Sequence, residues 1–211
     1  MKIKIFSRVF LFNFLFVANV YAAPADDLST LLNSVRTMRA SFTQTVYDNH
    51  GKVAQISKGQ MALQRPGKFR WEVKKPIPQT VIANESRLWI YDPDLQQVTI
   101  RSLKKAAGDT PALLLSHVGV VLDNDYNVKT LKSSNNLRWF ALLPKKSDNM
   151  FAVIQMGFTN NEIREMRLQD HLGHTTAIKF FNSKMNVVLS SSLFIFTPPA
   201  NVDVIDETRR R

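Results

Sequence analysis

Residue types that carry acid–base, nucleophilic or metal chemistry are sparse and poorly grouped in this chain of 211 residues. Of the histidines, His50, His117, His171 and His174, only the last two are close, in a glycine-containing turn beside Asp170. A zinc site needs three or four placed ligands, and no further set accompanies them. Asp123-Asn124-Asp125 lacks the glycine and the terminal glutamate of a calcium loop. No Gly-x-Ser-x-Gly elbow, phosphate loop or His-Glu-x-x-His motif occurs. Cysteine is absent, which removes thiol catalysis, thiolate ligation and disulfides. The chain is therefore not read as an enzyme, and neither cofactor nor metal is expected. What it concentrates instead is binding chemistry, in Gln64-Arg65-Pro66-Gly67-Lys68-Phe69-Arg70-Trp71-Glu72-Val73-Lys74. After the Pro-Gly break, polar and apolar residues alternate, so a strand puts Phe69, Trp71 and Val73 on one face. That face is either ordinary core or the floor of a cavity for something apolar. Arg65, at its rim, is either a solvated charge or a rigid five-donor fork reaching for carbonyls.

The elements that must position this strand read as a meander. A helix comes first, with Leu28, Leu31, Leu32 and Val35 at i, i+3, i+4 and i+7 and with Asp26 and Asp27 at its start. Strands follow over Ser41 to Asp48, Lys52 to Arg65, the aromatic strand, Gln79 to Ala83, Arg87 to Tyr91 and Gln96 to Arg101, joined by short connections that imply antiparallel pairing. In the Arg87 strand, Leu88 and Ile90 face one way and Trp89 and Tyr91 the other, so both faces should be covered. Between Lys104 and Asp125 the character changes. Asp109 or Thr110 can cap a short helix with Pro111 in its first turn and Leu113, Leu114 and Leu115 after it. Three consecutive leucines leave apolar surface on more than one side, which suits a flap over a cavity and a helix plugging a barrel equally well. Strands resume over Tyr126 to Lys132, Arg138 to Leu143, Phe151 to Phe158, Ile163 to Gln169, Thr175 to Phe181 and Ser192 to Phe196. About eleven or twelve strands without a repeat fit one large curved antiparallel sheet or open barrel, with helices inside or across it, better than a sandwich.

The first residues set the expected compartment. Lys2, Lys4 and Arg8 precede an apolar run from Val9 to Val20, and Val20-Tyr21-Ala22 offers small residues for cleavage. Twelve helical residues reach about 18 Å, too short for a hydrocarbon core of roughly 30 Å. Residues 1–22 are thus expected to be a cleaved signal peptide, leaving one domain over 23–211 outside the cytoplasm. Removing three cations and no acids takes the net charge from +11 to +8. Outside the cytoplasm such a surface points to anionic headgroups, an acidic partner or simple solubility, and away from nucleic acid.

Taken in order, Phe42-Thr43-Gln44, Arg65-Pro66 with Phe69-Arg70-Trp71, Leu88-Trp89-Ile90-Tyr91-Asp92-Pro93, Thr110-Pro111-Ala112-Leu113-Leu114-Leu115, and Phe196-Thr197-Pro198-Pro199 with Val202-Asp203-Val204 resemble the periplasmic lipoprotein carrier family LolA. The resemblance runs from about Leu28 to Val204. It implies a mainly β fold with α: a strongly curved antiparallel sheet forming an incomplete barrel, closed by a helical lid. It also implies transport without chemistry. A periplasmic monomer would take acylated outer-membrane lipoproteins from an inner-membrane lipoprotein-releasing ABC transporter and pass them to a LolB-like outer-membrane receptor. In the family, the arginine matching Arg65 bonds lid carbonyls in the closed state, so Arg65 is expected to latch the lid and to promote release. The position matching Phe69 meets both transporter and cargo, and aromatics matching Trp71 and Trp89 belong to the apolar interior, with Leu113, Leu114 and Leu115 on the lid side of the acyl chains. The receptor is itself a lipoprotein, so the missing cysteine favours carrier over receptor. An envelope sensor of stray lipoproteins, or a glycolipid-binding protein, would use the same interior. The strongly basic charge and the arginines at 209–211 are departures that the resemblance does not tie to that mechanism.

Overall fold

The computed structural model describes residues 23–84, 86–103, 113, 115, 116, 122–147 and 149–209. The signal-peptide expectation, most of the Lys104–Val121 stretch including Leu114, and Arg210 and Arg211 lie outside the described residues.

The alternating segments form the strands β1 (Thr37–Tyr47), β2 (Val53–Gln64), β3 (Lys68–Lys75), β4 (Gln79–Asn84), β5 (Arg87–Asp92), β6 (Gln97–Ser102), β7 (Tyr126–Ser134), β8 (Leu137–Pro144), β9 (Phe151–Thr159), β10 (Glu162–Asp170), β11 (Thr175–Met185) and β12 (Asp203–Asp206). Helix α1 spans Pro24–Asn33 and the single turn α2 spans Leu122–Asp125. All twelve strands join one sheet in the order β12-β6-β5-β4-β3-β2-β1-β11-β10-β9-β8-β7. Asn135-Asn136 and Asn160-Asn161 make the turns into β8 and β10. All four asparagines sit at φ between 48° and 64°, the left-handed region that asparagine tolerates and tight hairpins require.

Laid flat, twelve strands would span about 50 Å. Yet Leu31 and Leu32 of α1 share one crevice with Met38 and Leu63 in the middle of the sheet and with Phe158 and Ile163 of β9 and β10. Arg138 Nη1 of β8 also reaches Asp27 Oδ2 of α1 at 2.9 Å. One short helix meets strands this far apart only if the sheet curls around it. The sheet is nonetheless open, with β12 and β7 as its edges. A single apolar cluster fills the concave side, from Leu88 on β5 through Phe42, Phe69 and Trp71 to Phe140 and Met156, with Leu28, Leu31 and Leu32 of α1 inside it.

The convex side has its own cover over β3 to β6. After β11 the chain crosses this face through a 3₁₀ turn at Ser191–Phe194, where Phe194 is buried and the turn packs on β3 and β4. Phe196 then stacks at a tilt against Tyr91, with ring centroids 5.7 Å apart. The strand expected over Ser192 to Phe196 is therefore not formed. The Ser190 hydroxyl accepts a bond from the Ser192 N–H and starts a tight turn instead. The last strand is β12, which arrives parallel to β6 after this crossing, the one parallel pair among the described strands; the antiparallel pairing of β1 with β11 is the other break in the meander order.

Candidate cargo-binding interior

The aromatic face of β3 forms the floor of the interior because Phe69 and Trp71 pair with Leu63 and Met61 of β2 on one side and with Ala83 and Val81 of β4 on the other. Residues at paired positions share a face, so all six point inward. Trp71 stacks on Phe42 at 3.7 Å between ring centroids with 19° between planes. Phe69 lies 6.2 Å from Trp71, and Phe180 of β11 presents its edge to the indole at 6.4 Å. Gly59 makes this stacking possible: a Cβ there would collide with the Glu72 carbonyl oxygen and with the Phe42 ring. Phe42 and Phe180 were not singled out from the sequence as site residues. The alternation Met38, Ala40, Phe42 in β1 was the available signal.

Phe69 is fully buried. A transporter or an acyl chain reaches its ring only when the elements above it move. Of the lid leucines, Leu113 and Leu115 are buried in the same cluster. Leu113, Leu115 and Ser116 form a tight turn in which Ser116 donates both its N–H and its hydroxyl to the Leu113 carbonyl, each at 2.8 Å. This turn is bonded to the Pro66-Gly67 break, where the Gly67 N–H donates to the Ser116 carbonyl at 3.1 Å. Arg65 stands beside that bond. Its Nη1 is 3.5 Å from Asn33 Oδ1 at the end of α1, and burial lowers its guanidinium to about 10, still far above neutrality. Arg65 and Leu115 line one crevice of about 20 Å³ together with Leu31, Leu32 and Phe158, space for about one water. At this mouth an acyl chain enters only if α1 or the Leu115 turn shifts.

Trp89 does not belong to this interior. It pairs with Ile82 on β4 and with Ile100 on β6, whereas Leu88 and Ile90 on the same strand pack into the concave cluster. Period-2 alternation puts Trp89 and Tyr91 on the convex face, under the returning C-terminal segment. The interior role implied for Trp89 by the family resemblance is corrected on this register.

The histidine turn holds itself together. Asp170 Oδ1 accepts the backbone N–H groups of Leu172 and His174, and Oδ2 lies 2.8 Å from His174 Nδ1. Slight desolvation opposes ionisation, but these bonds from His174 and Leu172 hold the carboxyl below its ordinary value. Among the described residues no group of three or more His, Asp or Glu is placed to hold a metal ion. No helix among them is long and apolar enough to cross a membrane.

With this geometry in place, the chain matches the family model described as outer membrane lipoprotein carrier protein LolA over residues 33–197. It is 39% identical over 187 residues to an outer-membrane lipoprotein carrier protein of Dechloromonas aromatica, covering 89% of each chain. It is 40% identical over 194 residues to a protein of the same description in Chromobacterium violaceum, covering 90% of this chain and 93% of that one. In fold it is similar to an uncharacterised conserved protein of Thermus thermophilus, with a TM-score of 0.57 at 11% identity, covering 88% of this chain and 100% of the other.

Proposed function

The chain belongs to the LolA family of outer membrane lipoprotein carrier proteins, and on that premise we propose that its concave apolar interior receives the acyl chains of outer-membrane lipoproteins in the periplasm. The observation that carries this reading is the single apolar cluster in which the aromatic floor of β3, helix α1 and the Leu113 and Leu115 turn meet, with Arg65 at its mouth. Burying one CH₂ is worth about 0.8 kcal/mol, so exposing one 16-carbon chain to water costs on the order of 12 kcal/mol. A carrier must cover most of that surface and still release it. Aromatic and leucine contacts are non-directional and tolerate varied chains, so the interior supplies affinity without demanding one acyl structure.

Release needs a state that competes with cargo. The Gly67 to Ser116 bond closes the turn over the floor, and Arg65 adds a cation at the same hinge. Where its guanidinium bonds lid carbonyls, each bond contributes roughly 1.5–3 kcal/mol to the empty state. Closing then helps to expel the lipid. Delivery from an inner-membrane ABC transporter and hand-over to a LolB-like receptor complete the cycle, with Phe69 offered to the transporter once the lid is open. The test is transfer: the purified protein should form a one-to-one complex with an acylated lipoprotein and pass it to receptor-bearing liposomes. A protein that binds but never passes the cargo on acts as a sensor, and the carrier reading fails.

A further inference from the structure

On the convex face, away from the apolar interior, Arg39 of β1 lies directly opposite Lys184 of β11. Like charges at directly opposed positions destabilise a sheet. Neither side chain has an ion-pair partner among the described residues. Both line a pocket of about 380 Å³ between the convex face and the returning C-terminal segment, together with Arg70, Glu72, Leu189 and Leu193. That volume is in the range of small-molecule sites. Arg70 is committed to the wall: its Nε and Nη2 lie 3.3 Å and 3.2 Å from Glu72 Oε2, and its Nη1 lies 3.5 Å from the Leu193 carbonyl oxygen. Three cations against one carboxylate leave the lining at +2, and the two uncommitted side chains branch from Cβ atoms about 5 Å apart. The pairing register breaks between Arg39 and Ser41. A bulge of this kind re-aims the side chains beside it.

We propose that this pocket binds a phosphoryl dianion, with the Arg39 guanidinium and the Lys184 ammonium as its ligands and with Leu189 and Leu193 covering an organic substituent. Two adjacent cations converge on one compact group of double charge more readily than on the separated carboxylates of an acidic peptide, and the planar arginine fork matches phosphate oxygens. The proposed ligands, Arg39 and Lys184, and the covering Leu189 and Leu193 are not part of the concave cluster, so the proposal stands or falls independently of the lipoprotein reading.

Calorimetric titration of the mature protein in phosphate-free buffer tests it, with inorganic phosphate and dihexanoyl phosphatidic acid as probes up to roughly 10 mM. Saturable one-to-one binding of both supports a site for the phosphoryl group itself. Binding of the lipid alone supports the same site, with a headgroup as its source, where Lys184→Gln weakens it; lipid binding that Lys184→Gln leaves unchanged belongs to the concave interior and counts against the proposal. Lys184→Gln should weaken either probe by about tenfold or more and, by relieving the repulsion, should raise the melting temperature without ligand. Arg39→Gln should act in the same direction, and Lys129→Gln on β7 should bind as the parent does. Absence of binding by both probes, or parental binding by Lys184→Gln, would overturn the proposal.

Discussion

At the scale of single residues, one position shapes the aromatic floor and one stands at the proposed hinge. Gly59 lets Phe42 lie flat on Trp71, so Gly59→Ala should force the ring or the strand aside and cost about 1–3 kcal/mol, measurable as a lower urea midpoint at unchanged m-value. Arg65 is the cation of the proposed hinge. Arg65→Leu keeps the apolar floor and removes the cation, so it should load lipoprotein normally but hand it on several-fold more slowly. A normal transfer rate from the purified variant would sink that role. The sequence showed both faces of β3 from alternation alone. It did not show that Gly67 donates to the Ser116 carbonyl, because that partner lies 49 positions away along the chain and leaves no local signature.

Whole elements add what no residue does alone. The C-terminal segment packs on β3 and β4 through the turn that contains buried Phe194, so Phe194→Ala should cost about 3–5 kcal/mol without touching the concave interior. Thermal unfolding of the variant, with loading assayed below its melting temperature, distinguishes this from a loss of cargo binding. The turn between β10 and β11 carries a pH dependence of definite sign. Asp170 is held below its ordinary value of 3.8 in the folded chain, so the folded state binds fewer protons than the unfolded one in that window. Its contribution to stability is present above that value and is lost as pH falls through the lowered one. Carboxyl titration by NMR should report Asp170 below 3.8, and Asp170→Asn should abolish that transition. Eleven strands and α1 were legible because period 2 and period 3.6 survive in the sequence. The strap over the convex face was not, since a 3₁₀ turn and extended chain have no apolar period, and Ser192 to Phe196 reads as a strand until Phe194 has a face to cover.

For the molecule as a whole, the open sheet divides two apolar environments that composition alone cannot tell apart. Both faces of β5 are apolar, and alternation separated Leu88 and Ile90 from Trp89 and Tyr91. Only the pairing of Trp89 with Ile82 and Ile100 decides which set lies on the proposed cargo face. Incorporating a photoreactive phenylalanine analogue at single positions of residues 23–211 reads that division directly. Analogues at Phe69, Trp71 and Leu115 should cross-link to the acyl chains of a loaded lipoprotein and not to its unacylated form, while one at Trp89 should cross-link to neither. Acyl cross-links from Trp89 with none from Phe69 or Trp71 would contradict the assignment of the concave face as the cargo site.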